Sequence, residues 1–234
     1  SGGVDSSVTA LLLKQAGVTV VGLTMQLPAA DRCPSRQACC GEEAAMVCQQ
    51  LGLPHFFLDA RQAFQRLVME PFGQAYTQGR TPSPCIACNT FLKFGAVWDL
   101  LEKELGIVRV ATGHYARVET SAGKAVLRRA ASQARDQSYF LYGVPAERLP
   151  HLLLPLGEMD KPQVRALARE HGLSPAYRPD SMELCFAGED DYRKALPGED
   201  LLPGPILDLD GQEIGRHEGI RNFTVGQRRG LGIF

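Results

Sequence analysis

A parallel α/β sheet flanked by helices, followed by the start of a small β-rich region, is the fold class this sequence predicts. Three observations predict it. Helix–glycine–strand units recur through the first half of the chain, hairpin signals replace them near the end, and the composition is that of an ordinary globular protein. It is 44% hydrophobic and 22% charged, neither disordered nor fibrous. With 234 residues, one large domain or one plus part of another is expected.

Val4 to Ala16 carries Val8, Leu11, Leu12 and Ala16 at helical spacing, with Gly17 as the stop. The β-branched run Val18 to Met25 predicts a buried strand. Glu42 to Leu51 with Gly52 is the next helix, and His55 to Leu58 the next strand. Phe91 to Leu105 ends at Gly106 and leads into a strand over Ile107 to Ala111. Units of this kind build βαβ crossovers. Ala116 to Arg129 reads as a hairpin around Ser121 to Lys124, and Lys161 to His171 as a helix with Pro162 in its first turn and Gly172 closing it. Asp210-Gly211 between Ile206–Leu209 and Gln212–Ile214 is a second hairpin. Leu196 to Pro205, rich in proline and glycine, is the linker candidate.

Lys plus Arg number 25 and Asp plus Glu 26, a formal net charge of −1. No global nucleic-acid signature follows, and the local cluster Arg221, Arg228 and Arg229 reads equally well as a solvated face. No apolar run approaches the roughly 18 residues of a membrane span. Seven cysteines, an odd number, argue for catalytic, metal-bound or buried thiols in a reducing compartment rather than a disulfide scaffold. Cys33, Cys39 and Cys40 lack a partner at zinc spacing, and Cys48 sits beside Val47 and Leu51 as a small hydrophobe would.

The most informative string is Ser1-Gly2-Gly3-Val4-Asp5-Ser6-Ser7. Two glycines allow close backbone approach to a ligand, and the hydroxyls and following helix N-terminus offer donors to an anion. The terminal Gly-Lys-Ser/Thr of a Walker A loop is absent. An ordinary capped helix, with Asp5 and Ser6 as caps, is the plain alternative. A second string, Cys85-Ile86-Ala87-Cys88, follows Thr81-Pro82-Ser83-Pro84. The prolines place both thiols on an irregular loop or at a helix start, where the dipole would lower a thiol pKa. Cys185 follows far along the chain in DSMELCF. A redox pair, half a metal site and chance all remain open for a lone CxxC.

The Ser1 to Ser7 string resembles the SGGxDS loop of the PP-loop ATP pyrophosphatases. With TPSPCIACNTFLKF (81–94), ATGHYAR (111–117), RDQSYFL (135–141), DSMELCF (180–186) and FTVGQRRGLGI (223–233) in order behind it, the whole chain resembles the tRNA-specific 2-thiouridylases. The resemblance implies an adenine-nucleotide hydrolase-like, Rossmann-like domain over residues 1–196, lacking its first strand, and a partial central domain over 197–234. The C-terminal β-barrel of the family would be absent, leaving apolar surface uncovered and tRNA binding weak.

It further implies ATP- and Mg²⁺-dependent exchange of oxygen for sulfur at C2 of the tRNA wobble uridine in the cytoplasm. Ser1, Gly2, Gly3, Val4, Asp5, Ser6 and Ser7 would hold ATP with Met25 and Gly113, and Asp5 would help hold Mg²⁺. Cys185 would carry a persulfide and Cys88 act as nucleophile, leaving a Cys88–Cys185 disulfide. Ser83, Pro84 and Cys85 would meet the target base, and Arg135, Asp136 and Gln137 the tRNA. A cysteine desulfurase or sulfur-relay protein would donate sulfur, with no membrane partner. Many members carry Asp where Cys85 stands. Three thiols, Cys85, Cys88 and Cys185, could therefore instead hold a [4Fe–4S] cluster with one open iron; spacing separates neither route. Asp136 as a helix cap and His114 and His55 as structural histidines are the plain alternatives. Another PP-loop enzyme, such as a different RNA thiolase or an amide-forming ligase, would share the loop without needing the thiols, as would a non-catalytic nucleotide-binding module.

Overall fold

The computed structural model describes residues 2–28, 41–178, 184–186 and 202–233. Ser1, the Cys33–Cys40 segment, most of DSMELCF and the first part of the linker candidate lie outside the described residues. Helix α1 (Val4–Gln15) leads to strand β1 (Gly22–Gln26), then α2 (Glu42–Gln50) and β2 (His55–Asp59). β1 and β2 pair in parallel, Gly22 with His55 through Gln26 with Asp59, as a βαβ crossover requires. The expected strand from Val18 begins four residues late, at Gly22. Gly22 itself is demanded by a close approach, because a Cβ there would lie 2.4 Å from the Cys48 sulfur of α2.

Next comes a helix absent from the sequence reading. α3 runs over residues 61–77 as Arg61–Phe64, the π-helical turn Gln65–Met69 and Glu70–Thr77. Pro71 and Gly73 argue against a helix, yet Phe64, Val68, Phe72 and Tyr76 recur every fourth residue and are all buried. In a regular α-helix that spacing drifts round the axis; the wider π turn counters the drift and keeps the four on one face. Phe186 caps this stripe, edge-on to Phe64 and Phe72 at 5.8 and 5.4 Å between ring centres.

α4 spans residues 84–105: Pro84–Ala87, a π-helical stretch Cys88–Val97 bent at Gly95, and Trp98–Leu105. It starts seven residues before the expected Phe91, because Pro84 occupies the helix's opening position, where its missing N–H costs nothing. Gly106 closes it in the left-handed region. The expected strand from Ile107 shrinks to β3 (Val110–Ala111).

β4 (Ala116–Ser121) and β5 (Lys124–Arg129) form the antiparallel hairpin, turning through Ala122 and Gly123 at φ 49° and 76°. β6 (Leu152–Leu153) pairs in parallel with β3, so the parallel strands described form two separate pairs, β1–β2 and β3–β6. α5 (Lys161–Glu170) opens on a capping box: Asp160 accepts from the Gln163 amide, and the Gln163 side chain accepts from the Asp160 amide. β7 (Gly204–Leu207) and β8 (Glu213–His217) form the last hairpin. Asp208 organises its turn by accepting from the amides of Asp210 and Gln212, each at 2.9 Å. Among the described residues no helix is long and apolar enough to cross a membrane.

Three apolar cores hold these elements. The first joins α1 (Val4, Val8, Leu11) to α2 (Val47, with Leu51 just past its end) and α5 (Val164, Ala168). The second gathers the α3 stripe, Cys88, Leu92 and Phe186, with Met25 against it. The third packs Phe94 and Trp98 on Ala116, Leu141 and Leu152. α4 thus feeds two cores at once, which fixes the rotation of its cysteine-bearing end.

Candidate active site

α1 begins at Gly3 with no side-chain cap, and the Ser7 amide makes the first intrahelical bond, 3.1 Å to the Gly3 carbonyl. The amides of Gly3, Val4 and Asp5 precede that bond and have no acceptor within the helix. The Ser6 and Ser7 hydroxyls donate back to the Gly3 carbonyl at 3.0 and 2.9 Å. Gly2, at φ 65°, lets the loop pass α2, where a Cβ would come 2.9 Å from that of Glu43. The loop is therefore built as a ring of backbone donors at the positive end of a helix dipole, the arrangement that binds phosphate.

Asp5 ties the opening turn of this helix into a part-buried network. Its Oδ1 accepts from the Tyr115 hydroxyl at 2.8 Å, and both its oxygens accept from Lys161 Nζ at 2.8 Å. The Tyr115 amide donates to Gln137 Oε1 at 2.9 Å, while the Gln137 amide donates to the Tyr115 carbonyl at 2.8 Å. Asp136 accepts from the Ala130 amide at 2.8 Å and from the Ser138 hydroxyl at 2.8 Å. The Ser138 and Ala130 donors hold its carboxyl below the usual carboxylate range despite desolvation. Three strings far apart in sequence, SGGVDSS, ATGHYAR and RDQSYFL, are thus one hydrogen-bonded unit. Gly113 touches the loop directly, since a Cβ there would lie 2.7 Å from the Asp5 carbonyl carbon. Arg135 is exposed beside this unit.

The thiols occupy the neighbouring face. Cys85 is exposed in the opening turn of α4, and Cys88 is buried against the second core. Leu184 and Phe186, on either side of the exposed Cys185, join that same core. Electrostatic influence links the three: Cys85 acts on Cys88, and both act on Cys185. The sequence reading expected a helix start to lower a thiol pKa. Desolvation instead dominates and raises all three, Cys185 to about 11. Cys48, Cys85, Cys88 and Cys185 are all free thiols.

Lys93 was missed from sequence and is the counterweight. Its ammonium favours thiolate at Cys85, Cys88 and Cys185. In the i→i+5 register of the π-helical stretch, Lys93 comes onto the side of the helix that carries Cys88, where it donates to Asn89 Oδ1 at 3.0 Å. Asn89 in turn donates to the Phe140 carbonyl at 3.0 Å. A lysine five residues after a cysteine signals nothing under α-helical spacing, which explains the omission.

His114 bridges the two halves. It follows Gly113, which packs on the loop, and its ring lies 6.3 Å from that of Phe94 in α4. Burial, reinforced by the Lys93 charge, lowers its pKa to about 3, so it is neutral at physiological pH, paired with the Thr112 hydroxyl at 2.9 Å. His55 is likewise tied into the fold, to the Thr24 hydroxyl at 2.9 Å.

Among the described residues no three His, Cys, Asp or Glu side chains converge as a metal-binding group. At Asp5 both carboxylate oxygens accept from the Lys161 ammonium.

Residues 1–189 match the family described as tRNA methyl transferase HUP domain, and residues 195–234 match the tRNA methyl transferase PRC-barrel domain. A tRNA-specific 2-thiouridylase from Parvibaculum lavamentivorans is 46% identical over the full chain, and one from Thermus thermophilus 47%. A third, from Acidithiobacillus ferrooxidans, is 48% identical over 99% of the chain. The chain spans 60%, 66% and 66% of these relatives' lengths. The crystal structure of a predicted subunit of tRNA methyltransferase from Methanocaldococcus jannaschii aligns over 77% of this chain and 90% of its own, with a TM-score of 0.39 and 17% identity.

Proposed function

The chain belongs to the tRNA methyl transferase HUP-domain family and is 46–47% identical to relatives named tRNA-specific 2-thiouridylase, and on that premise we propose that it catalyses ATP-dependent 2-thiolation of the wobble uridine of tRNA. The observation that supports this is that Gly113 packs on the phosphate-type loop while the Lys93 charge acts on the adjoining His114 as it does on Cys85, Cys88 and Cys185. A substrate base at that junction would have an activating nucleotide on one side and sulfur on the other.

In this reading the amides of Gly3 to Asp5 hold the ATP phosphates, with Ser1, Gly2, Ser6 and Ser7 completing the loop and Met25 and Gly113 on the adenine side. The nucleotide enters as its magnesium complex, the metal held mainly through phosphate oxygens. The uridine C2 oxygen attacks the α-phosphorus and displaces pyrophosphate, so a poor leaving group becomes AMP. The terminal sulfur of a Cys185 persulfide attacks C2, and AMP departs. The Cys88 thiolate then attacks Cys185 Sγ, leaving a Cys88–Cys185 disulfide and sulfur on C2. An external dithiol must reduce that disulfide before the next turnover, and a desulfurase or relay protein must reload Cys185. Lys93 supports the Cys88 thiolate against the burial that opposes it.

Ser83, Pro84 and Cys85 stand at the lip of α4 to meet the base, and exposed Arg135 leads the segment assigned to tRNA. Asp136 and Gln137 serve that segment by fixing its backbone. The nucleotide-binding unit is assigned to residues 1–196 and the second unit begins at 197, with cytoplasmic tRNA as partner.

Nucleoside analysis of tRNA by mass spectrometry tests the proposal. Cys88→Ser and Cys185→Ser should each abolish 2-thiouridine formation while ATP binding survives. Thiolation that persists without Cys185 refutes the sulfur route; an amide-forming ligase would be indifferent to both changes.

A further inference from the structure

Lys161 opens α5 and is 7% exposed, on the same face as Val164 and Ala168, which are fully buried against α1. A lysine three and seven residues from such positions lies where an apolar side chain is expected. A buried ammonium needs a strong reason to be kept there, because its desolvation is costly. Its position is enforced: the Asp160–Gln163 capping box fixes the first turn of α5, and the ammonium lies 5.8 Å from the Tyr115 ring centre while donating to both oxygens of Asp5. Asp5 is itself the second residue of α1, so the ammonium reaches the turn whose amides form the anion-binding ring.

We propose that Asp5 is the counter-ion that positions Lys161 rather than a magnesium ligand, and that Lys161 is the cation that meets the polyphosphate bound at this loop. This rests on the assignment of the loop to ATP made above. When the phosphate chain docks on the α1 amides it brings negative charge to the Asp5–Lys161 pair. Lys161 then shares its three N–H donors between Asp5 and a phosphate oxygen. Tyr115 holds Asp5 Oδ1 throughout, so the carboxylate stays in place while its partner turns. No metal ion is needed for this contact, and magnesium adds its contribution through the phosphates alone.

The test is calorimetric titration of the chain with ATP and with inorganic pyrophosphate, each with excess Mg²⁺ and with EDTA. Wild type should bind both without metal. Lys161→Met should weaken metal-free binding at least tenfold. Asp5→Asn should retain the wild-type ratio of affinities with and without Mg²⁺. Because Asp5→Asn strands a buried charge and could fail to fold, the double variant Asp5→Asn/Lys161→Met, which buries none, should show the Lys161→Met weakening and keep the Mg²⁺ ratio. Loss of the Mg²⁺ gain in either Asp5 variant, with metal-free binding intact in Lys161→Met, overturns the proposal while leaving the ATP reading standing. A wild-type chain that binds neither ligand overturns the ATP reading, and this proposal with it.

Discussion

Replacing Gly113 by alanine isolates the contact between the ATGHYAR segment and the phosphate-type loop. Gly113 is not among the glycines with positive φ, so alanine is allowed by its backbone and only the added methyl matters. An ideal Cβ would lie 2.7 Å from the Asp5 carbonyl carbon, 2.9 Å from Asp5 Cβ and 2.9 Å from the Ser6 nitrogen. Comfortable carbon contacts begin at about 3.5 Å, so the methyl would intrude by roughly 0.6–0.8 Å on the opening turn of α1. Two of the three obstacles are backbone atoms, which no rotamer change can clear. Overpacking of this kind costs about 1–3 kcal/mol, a fall in Tm of roughly 2–12 °C for a chain of this size. Because the displaced turn carries the amides assigned to phosphate, ATP affinity should fall along with stability. Thermal unfolding and calorimetric titration of the two proteins check this. An alanine variant with unchanged Tm and unchanged ATP affinity would refute the packing argument.

Further outcomes follow from the electrostatics and caps. With its thiol raised to about 11, Cys185 should react with iodoacetamide about tenfold faster per pH unit from 7 to 10; a rate that plateaus below pH 9 would show an activated thiol. His114 has a folded pKa of about 3 against about 6.5 unfolded, so the unfolded chain takes up the proton first. Its stabilising effect is complete above pH 6.5 and is lost as pH falls towards 3, by about 2 kcal/mol at pH 4.5 after allowance for its partial exposure. His114→Gln should therefore lose less stability than wild type between pH 7 and 4.5 in urea unfolding; equal losses would count against the buried neutral ring. Asp160→Ala removes the capping box of α5 and should cost about 1 kcal/mol, read as a lower urea midpoint with an unchanged slope. A variant as stable as wild type would mean the first turn of α5 is held by packing alone.

The helices α1, α2 and α5, both hairpins and the parallel β1–β2 pair were legible because local signals and packing agree there. Glycine stops, a proline in the first turn and alternating apolar residues each point the same way. α3 was hidden because Pro71 and Gly73 speak against a helix, and its every-fourth stripe lines up only when the π turn widens the helix. The strands at Val18 and Ile107 were overdrawn, since β-branched runs mark apolar chain and ladder partners decide where a strand begins.

By itself the sequence determined which chemistry-bearing residues this protein owns: a glycine loop ahead of a helix, and thiols at 85, 88 and 185. Tertiary structure alone decided what those residues face. Lys161 meets Asp5 across 156 positions and Tyr115 meets Asp5 across 110; Lys93 reaches the cysteine face through a helical register no local propensity announces. The thiol pKa values turned upward for the same reason. Desolvation and charge depend on which chain segments surround a group, and that surrounding exists only once the chain has packed.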